Sequence, residues 1–221
     1  MTNIERGKYI DFEGPGGAGK STQIFKASEI LTENGFDVIT TREPGGTDSA
    51  ESIRRLLFEL KSGELIDAGG QMALFFAARR LLRDELIAPN LDKGVSVLTD
   101  RSYPSTGAYQ GGGEGGDDSL ILQMADVTMG ECKPDAVLLF DIEPEVAMAR
   151  NNPEDDPYDK KGIDYFARVI TAYRDMAENN WGGLKWYKID GNPGIGEVSE
   201  QVTEVLSEIF QKDLKVYGEQ Y

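Results

Sequence analysis

The chain has 221 residues, 39% of them hydrophobic and 28% charged, which predicts one globular domain spanning 1–221. Its formal net charge of −16, from 23 basic against 39 acidic residues, opposes binding to a nucleic-acid polymer, and no run approaches the ~18 apolar residues of a membrane helix. The absence of histidine excludes histidine bases and triads, and the lone Cys132 excludes an intramolecular disulfide and a cysteine-rich metal site, so a cytoplasmic protein without a membrane partner is expected.

The N-terminal "KYIDFEG" is the first of five short β-rich runs that end in polar residues or glycine. A helical pattern follows over Ser21–Leu31, with Ile24, Ala27, Ile30 and Leu31 on one face. Then come "DVITTREP", a helix over roughly Ser49–Leu60, and a long one over Gln71–Leu91. "VSVLTDRS" is the third strand. "GGGEGGDD", Gly111 to Asp118, reads as a flexible loop before a helix over Ser119–Met129. "AVLLFDIEP" is the fourth strand, and "NNPEDDPYDKKG" reads as a mobile loop, a lid over about 150–162. A helix over Ile163–Glu178, the strand "WYKIDGN" and a helix over Gly196–Phe210 complete the chain. Strands alternating with helices predict an α/β fold of three layers, a five-stranded parallel sheet with helices on both faces. Sites in such sheets lie at the carboxyl ends of the strands, which makes Glu13, Arg42, Glu43, Asp100, Arg101, Asp141 and Glu143 the first suspects.

"FEGPGGAGKST" carries the most recognisable chemistry. Gly14, four intervening residues, then Gly19, Lys20 and Ser21 fit the phosphate-binding P-loop pattern, placed between a strand and a helix as the motif requires. Glycines let backbone N–H groups converge on phosphate oxygens, and the helix N-terminus adds positive potential. Gly14, Gly16, Gly17, Ala18, Gly19, Lys20, Ser21 and Thr22 are therefore expected to bind the phosphates of a nucleoside triphosphate. Lys20 would reach the outer phosphates, and the Ser21 hydroxyl would ligate Mg²⁺. The loop specifies a nucleoside triphosphate and no more.

Further residues narrow the reading. Phe75 and Arg79 are four apart on a predicted helix and share a face, where a ring can stack on a base and a guanidinium can donate to a base carbonyl. Arg42 and Arg101 follow strands two and three, and a planar guanidinium matches a phosphate dianion bidentately. Asp100 ends a strand, as a metal- or water-holding carboxylate would. "TREPGGT" (41–47), "FFAAR" (75–79), "DRSYPSTGAYQGGG" (100–113), "LLFDIEPEVAMAR" (138–150) and "DYFARVITAY" (164–173), in this order after the P-loop, resemble the thymidylate kinase family over nearly the whole chain. The resemblance implies a P-loop kinase fold, transfer of the γ-phosphoryl of ATP to dTMP with Mg²⁺, and a homodimer. It assigns Phe75 and Arg79 to the thymine ring, and Arg42 and Arg101 to the acceptor phosphate. It sets Ser105 and Thr106 at the base edge, Tyr109 against the sugar, and Gln110 as a further polar contact. In this reading Lys20, Arg101, Asp100 and Arg150 are the catalytic residues, and Ser21 and Asp100 hold the metal. Glu43 and Pro44 shape a turn, and Phe76 belongs to the core.

Two positions depart from the family pattern. Gly16 stands where relatives carry a carboxylate that reaches the acceptor sugar or a metal-bound water, and Gly17 occupies an optional arginine slot. The lid segment "DPYD", Asp156 to Asp159, sets Pro157 at the usual lid arginine, leaving Arg150, Lys160 and Lys161 as candidate cations. A kinase for another nucleoside monophosphate or a nucleoside, and a non-catalytic P-loop protein, remain the alternatives.

Overall fold

The computed structural model describes residues 5–59, 67–150 and 161–216. Five strands form one parallel sheet: β1 (Tyr9–Glu13), β2 (Val38–Arg42), β3 (Ser96–Asp100), β4 (Ala136–Asp141) and β5 (Trp186–Asp190), in the order β2-β3-β1-β4-β5. The expected strands all form. β1 is central because it is the most completely buried, with all five residues covered, whereas edge strand β2 is only partly covered. Its neighbours meet it at Phe12↔Asp100 on one side and Glu13↔Leu139 on the other. That register brings the polar ends of β1, β3 and β4 into one crevice.

Alternation along β1 divides the core. Ile10 and Phe12 face helices α1 (Lys20–Glu33) and, from the C-terminus, Ile195–Phe210, whose Val198, Val202 and Leu206 are fully covered. Tyr9 faces the other side, where it joins residues of α3 (Ala68–Leu82), which follows α2 (Asp48–Glu59). The long helix expected over Gln71–Leu91 forms without interruption, with a π-turn at Arg83–Ile87 between α3 and a short α4 (Ala88–Leu91). Pro89 lies at the start of α4, where its missing N–H and its ring favour such a local widening of the helix.

The reading of Gly111–Asp118 as a flexible loop is only half right. After α5 (Tyr103–Thr106), residues Gly107–Gly113 continue as a π-helical segment. Gly111 and Gly113 are buried, and a Cβ on Gly112 would come within 2.2 Å of the Ala172 Cβ. The glycines are there for close packing against a later helix. Asp117 then caps α6 (Asp118–Met129), accepting from the Ser119 and Leu120 N–H groups at 2.8 and 3.4 Å. After β4 comes a helix that the sequence reading missed, α7 (Pro144–Arg150), then α8 (Ile163–Glu178), which supplies Ala172. The C-terminal helix Ile195–Phe210 is α9. No helix among the described residues is long and apolar enough to cross a membrane.

Candidate active site

Gly14, Gly17 and Gly19 have φ of 140°, 77° and 88°, conformations that a side chain would resist. Gly19 sits at the N-cap of α1 and offers no side-chain cap, so the first turn's N–H groups are left for another partner. Lys20 is buried, and its Nζ donates back to the Gly14 and Pro15 carbonyls at 3.0 and 3.1 Å. The ammonium thus lies along the loop that it is expected to serve. Thr22 is exposed on the first turn of α1. The Ser21 hydroxyl donates to Asp100 Oδ2 at 2.9 Å, and Lys20 Nζ lies 3.9 Å from Asp100 Oδ1. A hydroxyl beside a carboxylate is a hard-oxygen pair of the kind that suits Mg²⁺.

Arg101 lies one residue past β3 with φ of 76°, which costs a non-glycine residue on the order of 1–3 kcal/mol. Its N–H donates to the Phe12 carbonyl at 3.1 Å, and its own carbonyl accepts from the Thr99 hydroxyl at 2.9 Å. Those bonds turn the guanidinium back over the P-loop. Its Nη1 donates to the Gly14 carbonyl (3.1 Å), to Ser105 Oγ (3.1 Å) and to the Tyr173 hydroxyl (3.4 Å). Its Nη2 donates to the Tyr109 hydroxyl at 3.1 Å, with the guanidinium carbon 5.0 Å from the centre of that ring. Burial works against its charge, but Tyr109, Tyr173, Asp100 and Glu13 outweigh it and raise its pKa.

Glu13 organises this corner. Its Oε1 accepts from the Ser102 and Ser105 N–H groups at 2.9 and 3.0 Å, and its Oε2 from the Ser105 and Tyr173 hydroxyls at 2.6 and 2.7 Å. All four bonds point at the segment after β3 or at α8, so the carboxylate serves as a pin. Tyr173 was missed by sequence reasoning: 160 positions separate it from Glu13, and only the end of a recognised motif marks it.

On α3, Arg79 is buried with 2% of its side chain exposed, and Phe76 beside it is core. Phe75 is half-buried. Arg79 Nε donates to Glu43 Oε2 at 2.6 Å, and its Nη2 to Thr106 Oγ1 at 3.3 Å. Its Nη1 and Glu43 Oε1 are buried without a hydrogen-bond partner among the described residues. Burial pushes the Glu43 carboxyl up to about 7, against the pull of Arg79. Glu43, expected only to shape a turn, is thus half of a buried ion pair. Gln110 is buried in the π-helical segment, and its carbonyl accepts from the Gly116 N–H at 2.9 Å.

Arg42 is exposed and bonded to Glu51 Oε1 at 3.0 Å. It lines a cleft of about 520 Å³ with Ser21, Asp100, Thr47 and Glu51, among others. Arg150 donates to three carbonyls of the loop after β5: Gly191 (2.7 Å), Asn192 (2.6 Å) and Pro193 (3.3 Å). A Cβ on Gly191 would lie 3.6 Å from the Ala18 carbonyl oxygen, so that loop flanks the P-loop. Asp141 and Glu143 bind Arg174, at 2.7 and 2.9 Å. Lys161 pairs with Glu114 and lies 4.8 Å from the centre of the Tyr165 ring. Residues 151–160, which include Asp156, Pro157, Asp159 and Lys160 of the expected lid, lie outside the described residues.

A family model described as thymidylate kinase matches residues 12–202. The chain belongs to the thymidylate kinase family. It is 36% identical over 205 residues to a thymidylate kinase of Francisella tularensis subsp. novicida, covering 92% of this chain and 97% of that protein. It is also 36% identical over 214 residues to a thymidylate kinase of Chlorobium luteolum, covering 92% and 98%. The crystal structure of thymidylate kinase from Ehrlichia chaffeensis superposes with a TM-score of 0.75 at 32% identity, over 91% of this chain and 99% of that one. The P-loop kinase fold expected for a thymidylate kinase family member is therefore the fold observed.

Proposed function

We propose that this member of the family transfers the γ-phosphoryl group of ATP to dTMP, giving dTDP for dTTP synthesis, and that it works as a Mg²⁺-dependent cytoplasmic homodimer of single-domain subunits. The observation that carries the reading is the bond from Arg101 to the Gly14 carbonyl, 3.1 Å long. One guanidinium thereby ties the acceptor side, through Tyr109 and Ser105, to the donor's phosphate loop.

Phosphoryl transfer requires positioning and charge neutralisation more than covalent chemistry, in keeping with a site that has no histidine. Lys20 leaves the Gly14 and Pro15 carbonyls to bind the donor's outer phosphates. Arg101, with Arg42 at the mouth of the cleft, holds the acceptor phosphate. Phe75 stacks on the base, Arg79 donates to a base carbonyl, and Thr106 and Gln110 border it. Tyr109 packs against the sugar. Ser21 and Asp100 would hold Mg²⁺, which when bound neutralises charge on the phosphates. Because the acceptor is already an anion, no strong base is needed.

The test is ADP release with dTMP, dUMP, dCMP, dGMP and thymidine as acceptors. Release stimulated best by dTMP supports the reading. Preference for another acceptor moves the assignment, and release independent of any acceptor rejects a kinase. Lys20→Ala should abolish turnover, and near-wild-type rates in that variant would remove Lys20 from the mechanism.

A further inference from the structure

Glu43 is a buried carboxylate at the acceptor side that the mechanism above leaves unused, and it is joined to the residue assigned to the base. Its Oε2 accepts from Arg79 Nε at 2.6 Å, while Thr106 Oγ1 accepts from Nη2 at 3.3 Å. Both partners hold the guanidinium along one edge. Arg79 also lies over the Phe76 ring, 4.8 Å from guanidinium carbon to centroid. The head is therefore fixed by a carboxylate, a hydroxyl and an aromatic face, while Nη1 is buried with no acceptor among the described residues. A buried, unpartnered N–H pair on a clamped cation is an arrangement that a ligand carbonyl would complete.

We propose that Glu43 is a positioning residue for acceptor recognition: it holds Arg79 so that Nη1 presents donors, and only donors, to the base. This rests on dTMP being the acceptor. A guanidinium has no acceptor atom, so a base edge carrying a carbonyl fits, and one carrying an amino group in its place, as in cytosine, leaves two donors opposed. Discrimination of this kind depends on the head not turning away. Among the described residues Glu43 supplies the anionic acceptor that restrains it, at 2.6 Å, and Thr106 a neutral one at 3.3 Å.

The experiment compares wild type with Glu43→Gln, whose amide oxygen keeps the shape and removes the charge, and with Glu43→Ala. Replacing the anionic acceptor by a neutral one weakens the hold on the guanidinium and should raise the KM for dTMP about five- to tenfold in Glu43→Gln, and more in Glu43→Ala. The kcat at saturating dTMP and the KM for ATP should stay within about twofold, and the dTMP/dCMP preference should shrink by a similar factor. In an Arg79→Gln background, Glu43→Gln should add nothing further, because the effect travels through Arg79. Should Glu43→Ala fail to fold, the isosteric Gln variant decides. An unmoved KM and preference in Glu43→Gln, or a full additional effect in the Arg79→Gln background, overturns the proposal alone. A wild type that does not phosphorylate dTMP overturns the acceptor assignment and this proposal with it.

Discussion

Asp11 is a costly residue in the sheet. It sits in the middle of β1, opposite Thr99 and Val137, wholly buried, and neither carboxyl oxygen has a partner among the described residues. Burial, followed by the nearby charges of Glu13 and Glu43, drives its pKa well above the usual carboxylate range, with Arg79 pulling the other way. The folded protein therefore holds this proton to higher pH than the unfolded chain does. Stability from this group falls as pH rises above ~4, where the unfolded carboxyl ionises. Replacing it with Asp11→Val should raise stability at pH 7.5 by about 1–3 kcal/mol and flatten its decline above pH 4. Urea denaturation at several pH values measures both, and a variant less stable than wild type would mean that the acid has a partner. No sequence pattern distinguished Asp11 from its apolar neighbours. The same holds for the Glu43–Arg79 and Glu13–Tyr173 pairs, because what joins them is folding across 36 and 160 positions.

At the scale of elements, the sequence was most legible where periodicity and burial coincide. β1, β3 and β4 are buried along almost their whole length because both faces are covered, β4 being nearly all apolar, and their polar ends mark the crevice. Least legible was the segment after β3, where proline and glycine suggest turns. Its glycines instead admit α8 at a distance that no side chain would allow, which places Tyr109 and Tyr173 beside Arg101. α7 was hidden by its length, seven residues. It presents Arg150 to the loop after β5, with three carbonyls satisfied by one guanidinium. A transition-state role for Arg150 and a loop-fastening role differ in kinetics. If it fastens the loop beside Ala18, Arg150→Ala raises the KM for ATP severalfold and leaves kcat within about threefold. Steady-state kinetics at saturating dTMP decide this, and a collapse of kcat at unchanged KM returns the arginine to the chemistry.

The whole molecule carries −16, yet Lys20, Arg42, Arg79 and Arg101 gather at the carboxyl ends of the strands or on the helix facing them. Cations gathered in one crevice, among carboxylates such as Glu43, Glu51 and Asp100, suit a small anionic substrate, while the acidic body repels polyanions. Self-repulsion at this charge destabilises the compact state, and salt relieves it, since the screening length shortens from about 10 Å at 0.1 M to 3 Å at 1 M. Thermal unfolding should accordingly shift to higher temperature between 0.05 and 1 M NaCl. A lower Tm at high salt would show that attractive pairs such as Arg6–Asp135 and Arg174–Asp141 dominate the surface. The overall architecture was legible from composition and alternation. The acidity was equally plain in the sequence, but only the fold shows which cations gather in the crevice.

Arg101 touches the P-loop backbone and the acceptor-side tyrosine with the same rigid head. Whatever draws that head towards one partner alters its hold on the other. The two substrates are thus thermodynamically linked: any factor by which bound dTMP tightens ATP is the factor by which ATP tightens dTMP. A single arginine in a strained backbone conformation joins the two halves of the crevice, an arrangement that would make each report on the other's occupancy.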